Sequence, residues 1–299
     1  MKVVARVAAP PPDQSLQRTY RYLRLAIAGT VVVLGTGVVV ASITDGVLGS
    51  ISAYYYSPAR NAFVGALFAA AIGMLALSGR GAPRALLDAA ALFAPLIAII
   101  PTPIGADEIP GLEVDCAPAR CVPSIVHADI GNGIAAYLVF GAGALLTAAA
   151  ISVLEGRRTG RISVGVVGSL GVGGAVLATV LVTWLIARDA VIAYGHVVAT
   201  IVFFLLIAIV VVSNAVPRVW RAVERPGDEP PPRWMQVAYA VIAGVLVVDL
   251  AIFAVAITTD FAFVVPPVLV TEFVALGLFC VFWVLQTAQH RAGARPTVH

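Results

Sequence analysis

The sequence predicts an all-α protein: a polytopic transmembrane bundle of eight spans with both termini in the cytoplasm. Three observations carry this. The first is composition: 60% of the 299 residues are hydrophobic and 12% charged, with a mean hydropathy of +0.97. The second is a series of apolar runs near the roughly 20 residues that cross a bilayer as helix. The third is the placement of the 19 Lys and Arg residues. With the N-terminus inside, all but Arg60, Arg120 and Arg188 fall on cytoplasmic segments, the bias that orients membrane proteins. An even number of spans is needed to keep it.

The elements follow in order. Residues 1–24 form a basic arm (Lys2, Arg6, Arg18, Arg21, Arg24) with Pro10-Pro11-Pro12 inside it. Spans are predicted over 25–43, 61–78 and 85–100. The first is read as an uncleaved anchor, because no small-x-small cleavage site precedes a mature domain. An outside loop, 101–126, holds Asp107, Glu108, Glu113 and Asp115. Five further spans are predicted over 127–154, 162–187, 190–216, 235–258 and 267–286. The loop 217–233 between the sixth and seventh is polar. The division is thus an arm over 1–24, a transmembrane domain over 25–286 and a basic cytoplasmic tail over 287–299.

Small residues at four-residue spacing (Gly65, Ala69, Gly73; Gly165, Ser169, Gly173) predict close helix contacts and a tight bundle. Ala59-Arg60-Asn61-Ala62 echoes Ala187-Arg188-Asp189-Ala190, which suggests two parallel four-helix halves. Cys116 and Cys121, five residues apart in the outside loop, are read as a disulfide. Cys280 is read as a small buried residue. Lys2 is the sole lysine, and with none in a span a retinal Schiff base is excluded. No phosphate-binding loop, nucleophile elbow or haem motif is present, and nothing points to nucleic acid.

Function is sought first in the stretch Ser52-Ala-Tyr-Tyr-Tyr-Ser-Pro-Ala-Arg60. Ser57-Pro58 reads as the start of a helix, by a capping Ser and a Pro at the first position. Arg60 then lies in the first turn, where the helix dipole disfavours a cation. It therefore calls for a partner: a carboxylate from another helix, an anionic ligand, or lipid headgroups. Tyr54, Tyr55 and Tyr56 are read as interfacial anchors, with at least one facing the bundle.

Ionisable groups inside spans are costly and point to function by default. Those found are Asp88, His127, Asp129, His196, Asp249 and Glu272. Asp88 follows Arg84 by one turn. Asp129 suits a helix N-terminus, and His196 shares a face with Asp189. Asp249, near mid-span, is the most expensive, and protonation would lower its cost. Arg60, Tyr55, His127, Asp129, His196 and Glu272 should gather at the outer end of the bundle as a ligand pocket, with Asp249 at its floor.

The Tyr-Tyr-Tyr segment with Arg60 and Phe63-Val64-Gly65, the His127 entry to a span and Glu272 followed by Trp283 together resemble a family of uncharacterised, actinobacterial-type multi-pass membrane proteins. The family implies no activity. Ser52, His127, Asp129 and His196 more distantly resemble the Ser, Asp and His set of the seven-span ceramidase-like hydrolases, which hold zinc at one membrane face. The His-x-x-x-His pair of those enzymes is missing here.

The leading expectation is a plasma-membrane protein, without cofactor, whose outward pocket binds or moves a small amphipathic or anionic molecule. One alternative is a zinc-dependent intramembrane lipid hydrolase with zinc on His127, Asp129 and His196. The other is a structural subunit of a membrane assembly.

Overall fold

The structure is a computed structural model, and it describes residues 12–77, 82–116, 119–160, 164–216, 231–259 and 266–292. The first eleven residues of the basic arm, most of the loop 217–233 and the last seven residues of the tail lie outside the described residues.

Eight α-helices are described: α1 (Pro12–Asp45), α2 (Arg60–Ala76), α3 (Ala82–Ile99), α4 (His127–Thr159), α5 (Val164–Ile186), α6 (Arg188–Ala215), α7 (Arg233–Ala256) and α8 (Pro267–Ala292). Each predicted span falls on one of them. Six are long and apolar enough to cross a membrane. The exceptions are α2, with 17 residues, and α3, whose apolar part is Ala85–Ile99. Short 3-10 helices at Ser52–Tyr56 and Ser124–Val126 precede α2 and α4. Helix α1 begins well inside the predicted arm, so the basic residues Arg18, Arg21 and Arg24 extend the first helix.

Helix α3 sits at the centre and packs against α2, α4, α5 and α6. Its sequence explains the position. Ala90, Ala91 and Ala94 are fully buried, and side chains this small let neighbouring backbones come close. Pro95 interrupts its hydrogen-bond ladder. The Tyr137 hydroxyl of α4 donates to the Leu92 carbonyl, 3.1 Å away, in the turn just before. A ring of contacts runs α1–α2–α3–α6–α8 and back to α1, with the α6–α8 contact the slightest, and α7 packs against both α6 and α8. Helices α4 and α5 pair with each other beside α3 and expose most of their apolar surface, as helices facing lipid do.

The small-residue expectation holds in part. A Cβ on Gly73 would come within 2.6 Å of Ile27, and one on Gly173 within 2.9 Å of Leu145. Gly65 meets nothing within 4 Å, so its face of α2 is not a close helix contact. The two parallel four-helix halves are not separate units. The ring draws α1, α2 and α3 from one half and α6 and α8 from the other, and α4 pairs with α5 across the boundary.

The described residues of the loop 101–126 are held by their own contacts. Ile104 and Cys121 exchange backbone hydrogen bonds of 2.8 and 3.0 Å, and a disulfide joins Cys116 to Cys121. Arg120 pairs with Glu108 at 2.9 Å. Glu108 also accepts from the Gly105 N–H and lies against Gly49, where a Cβ would be 2.9 Å from its carboxylate. Hydrogen bonds from the Ser124 side chain and backbone hold Asp115 below the ordinary carboxylate range.

Candidate functional site

The turn between α1 and α2 is the scaffold of the site. Gly46 takes a left-handed φ of 91° just past the end of α1, a conformation that glycine adopts without strain. Tyr54 is fully buried. Its hydroxyl meets Ser42 of α1, the Leu48 N–H at 3.1 Å and the Gly46 carbonyl at 3.3 Å. Ser50 accepts from the Ala53 N–H at 2.9 Å. These bonds fix Ile51 and Ser52 deep in the bundle, at 2% and 5% exposure.

The N–H groups of Ile51 and Ser52 open a 3-10 helix, so they have no partner within it. Glu272 of α8 supplies one. Its Oε2 accepts from both N–H groups, the Ser52 one at 3.3 Å, and its Oε1 meets Ser52 Oγ at 2.6 Å. On the other side, His196 Nε2 of α6 lies 2.8 Å from Ser52 Oγ. His196 Nδ1 lies 2.7 Å from the carbonyl of Ile100, at the end of α3. Gly195 permits this approach, since a Cβ there would be 2.7 Å from the Ile100 side chain. Ser52 thus joins α6 and α8 through one hydroxyl.

Donor and acceptor counting limits the protons in this chain. The Ile100 carbonyl only accepts, so His196 Nδ1 must carry a hydrogen. Two arrangements then satisfy every contact. In one, Glu272 is a neutral acid that donates to Ser52, and Ser52 donates to a neutral His196. In the other, Ser52 donates to a Glu272 carboxylate, and a doubly protonated His196 donates to Ser52. Both carry no net charge, which is what a buried site requires. They differ by the shift of two protons along one line of atoms.

Ser52 and Glu272 also line a cavity of about 50 Å³ among the helices of the ring, enough for a few water molecules or one small ligand group. Its walls are Leu34 and Val31 of α1, Phe63, Ala66 and Ala70 of α2, Ile97 of α3, Phe203 and Phe204 of α6, and Leu276 and Phe279 of α8. No Arg or Lys is among the described lining residues. Thr200 of α6 lines it too, one helical turn beyond His196. Thr200 is 6% exposed, and its hydroxyl has no hydrogen-bond partner among the described residues. A buried hydroxyl left in that state costs about 1–3 kcal/mol.

A second polar cluster stands on the same turn. Arg60 Nη2 donates to Asp129 Oδ2 of α4 at 2.8 Å and to the Tyr55 hydroxyl at 2.7 Å. The Arg60 guanidinium lies 4.4 Å from the centre of the Tyr55 ring. The side chains of Arg60 and Asp129 are 41% and 54% exposed. Tyr55 meets Tyr56 edge-on at 5.4 Å, and the Tyr56 hydroxyl donates to the Thr102 carbonyl of the loop.

No family model matches the chain, no curated protein matches it, and no solved structure matches it.

The single outer pocket divides into two groups. Glu272 and His196 meet on Ser52, and Arg60, Tyr55 and Asp129 meet on one another. His127 joins neither, since its Nε2 faces the Val122 carbonyl at 3.0 Å. Asp249 is buried on α7 and does not line the cavity, so it is not the cavity floor. Asp189 is exposed and is not the partner of His196. Tyr54 and Tyr55 are buried in the protein, with protein partners for their hydroxyls, so two of the three tyrosines face the bundle. Helix α2 starts at Arg60, not at Ser57-Pro58, and Ser57 serves the preceding turn by donating to the Tyr54 carbonyl. The proposed zinc ligands His127, Asp129 and His196 each face a different partner. Thr200 and the Ile100 carbonyl were not foreseen; the one signal for Thr200 was its place four residues after His196.

Proposed function

We propose that the protein is an integral membrane protein that binds a small amphipathic molecule in the cavity within the ring α1–α2–α3–α6–α8. The observation that carries this reading is the pairing of apolar walls with one polar end. Phe63, Phe203, Phe204 and Phe279 supply the apolar surface, and Ser52, Glu272 and the unpartnered Thr200 hydroxyl supply the polar groups. A molecule with an apolar body and a small polar head complements that arrangement. Arg60 is paired with Asp129 and does not line the cavity, so the role of anion holder falls away for it.

In this reading all eight helices cross the bilayer and both termini are cytoplasmic, as the Arg and Lys placement supports. At 1.5 Å per residue, α2 is about 26 Å long, a little under the roughly 30 Å of a hydrocarbon core. The 3-10 turn before α2 and the ordered loop after α3 make up the difference. Ser52, Arg60 and the loop 101–126 then lie at the outer face of a bacterial plasma membrane.

The test is extraction of small molecules from the purified protein, wild type beside Ala70→Phe and Leu276→Phe, which fill the cavity. A compound retained by the wild type and lost from both variants, all three monodisperse, is the expected result. Equal recovery from all three contradicts the reading.

A further inference from the structure

The cavity's own hydrogen-bond chemistry narrows what it takes. Threonines in helices commonly fold the hydroxyl back onto a carbonyl three or four residues earlier. Thr30, Thr183, Thr271 and Thr287 all do so here, at 2.7 to 2.9 Å. Thr200 does not. Its hydroxyl is buried, lines the cavity and has no partner among the described residues. Ser52 and Glu272, by contrast, are already engaged with each other, with His196 and with the Ile51 N–H. Thr200 is therefore the free polar contact that the cavity holds in reserve.

Charge narrows it further. The described lining has one ionisable side chain, Glu272, and no Arg or Lys. A carboxylate or phosphate head would enter beside a Ser52–Glu272–His196 set that already carries no net charge, with no Arg or Lys in the described lining to balance it, in surroundings of low dielectric. Length is also bounded. The lining runs from Glu272 to Phe279 on α8 and from Phe63 to Ala70 on α2, about 10 Å along each helix.

We infer that the cavity is a site for a neutral, lipid-soluble molecule whose hydroxyl or carbonyl oxygen hydrogen-bonds the Thr200 hydroxyl, its apolar body lying against Phe203, Phe204 and Phe279. This rests on the reading of the cavity as a binding site and names the class of ligand.

The experiment uses the full chain in lipid nanodiscs and three photoreactive probes of equal chain length, each with a diazirine on a six-carbon chain: a primary alcohol, a methyl ketone and a carboxylic acid. Labelled peptides are mapped by mass spectrometry. The alcohol or the ketone labels α6 and α8, and the acid does so at least tenfold less. Thr200→Val, which keeps the side-chain volume, lowers that labelling about three- to tenfold, the span expected for one hydrogen bond. Thr200→Ser retains it. Labelling by the acid as strong as by the alcohol overturns the neutral class while leaving the cavity a binding site. Unchanged labelling in Thr200→Val removes Thr200 as the anchor. Absence of cavity labelling by all three probes overturns the binding reading itself.

Discussion

Ser52 Oγ lies 2.6 Å from Glu272 Oε1, although 220 residues separate them in the chain. Through this contact the turn after the first helix is held by the last one. Because Ser52 also reaches His196 of α6, one hydroxyl fixes the polar end of the cavity, and its neighbours tolerate little change.

Replacing Glu272 separates shape from hydrogen bonding. Glu272→Gln can offer its carbonyl to the Ile51 and Ser52 N–H groups and its amide N–H to Ser52 Oγ. That reproduces the arrangement in which Glu272 is a neutral acid, and stability should stay within about 1 kcal/mol of wild type. Glu272→Leu leaves two buried backbone N–H groups without an acceptor and should cost about 2–5 kcal/mol. Thermal unfolding in detergent checks the order of the three proteins. A Gln variant as damaged as the Leu variant would mean that the carboxylate charge itself is required.

Thr200→Val should stabilise the ligand-free protein. The substitution removes a buried hydroxyl that has no partner and keeps the side-chain volume, so a gain of about 1 kcal/mol is expected. The melting temperature of delipidated protein measures it. A binding group that weakens the empty state is the kind of trade expected of a functional site.

Arg60 and Asp129 form the more conspicuous pair but the weaker one. Their side chains are 41% and 54% exposed, and exposed ion pairs typically contribute about 0.2–1 kcal/mol. A double-mutant cycle over Arg60→Ala and Asp129→Ala should give a coupling in that range, falling as salt is added. Coupling above about 2 kcal/mol would place the pair in drier surroundings than its exposure indicates.

The disulfide between Cys116 and Cys121 closes a short loop. Loop-closure entropy for so few residues corresponds to about 2 kcal/mol. Reducing the purified protein, or replacing both cysteines with serine, should lower the melting temperature modestly and by the same amount. The helix ring should remain intact by circular dichroism. Loss of helical signal would show that the loop supports the bundle more broadly.

Helices were legible in the sequence because a membrane helix announces itself by its own composition. Each predicted span falls on a helix, and the short α2 and α3 also stood out as apolar runs. The site was legible by residue type but not by grouping. Glu272, His196 and Arg60 stand out because ionisable groups are expensive in an apolar bundle. Which of them meet depends on how five helices close into a ring, and no local pattern encodes that. Ser52 stood out only by its place in the tyrosine stretch and by resemblance, and Thr200, which carries no charge, gains a role only once burial and partners are known. The reading of Asp249 as the cavity floor failed for the same reason. Depth along a helix can be counted from sequence, but the face that turns toward the cavity depends on the neighbours, and Asp249 of α7 does not line it.

The central claim is that the cavity between Thr200 and Glu272 is an occupied binding site. The most direct measurement is a cryo-electron microscopy map of the protein in nanodiscs made with lipids from its native membrane. The account predicts elongated density along Phe203, Phe204 and Phe279, with its polar end within hydrogen-bond distance of Thr200 Oγ1. A cavity closed by its own side chains, or filled only by ordered water bonded to Thr200, would contradict it.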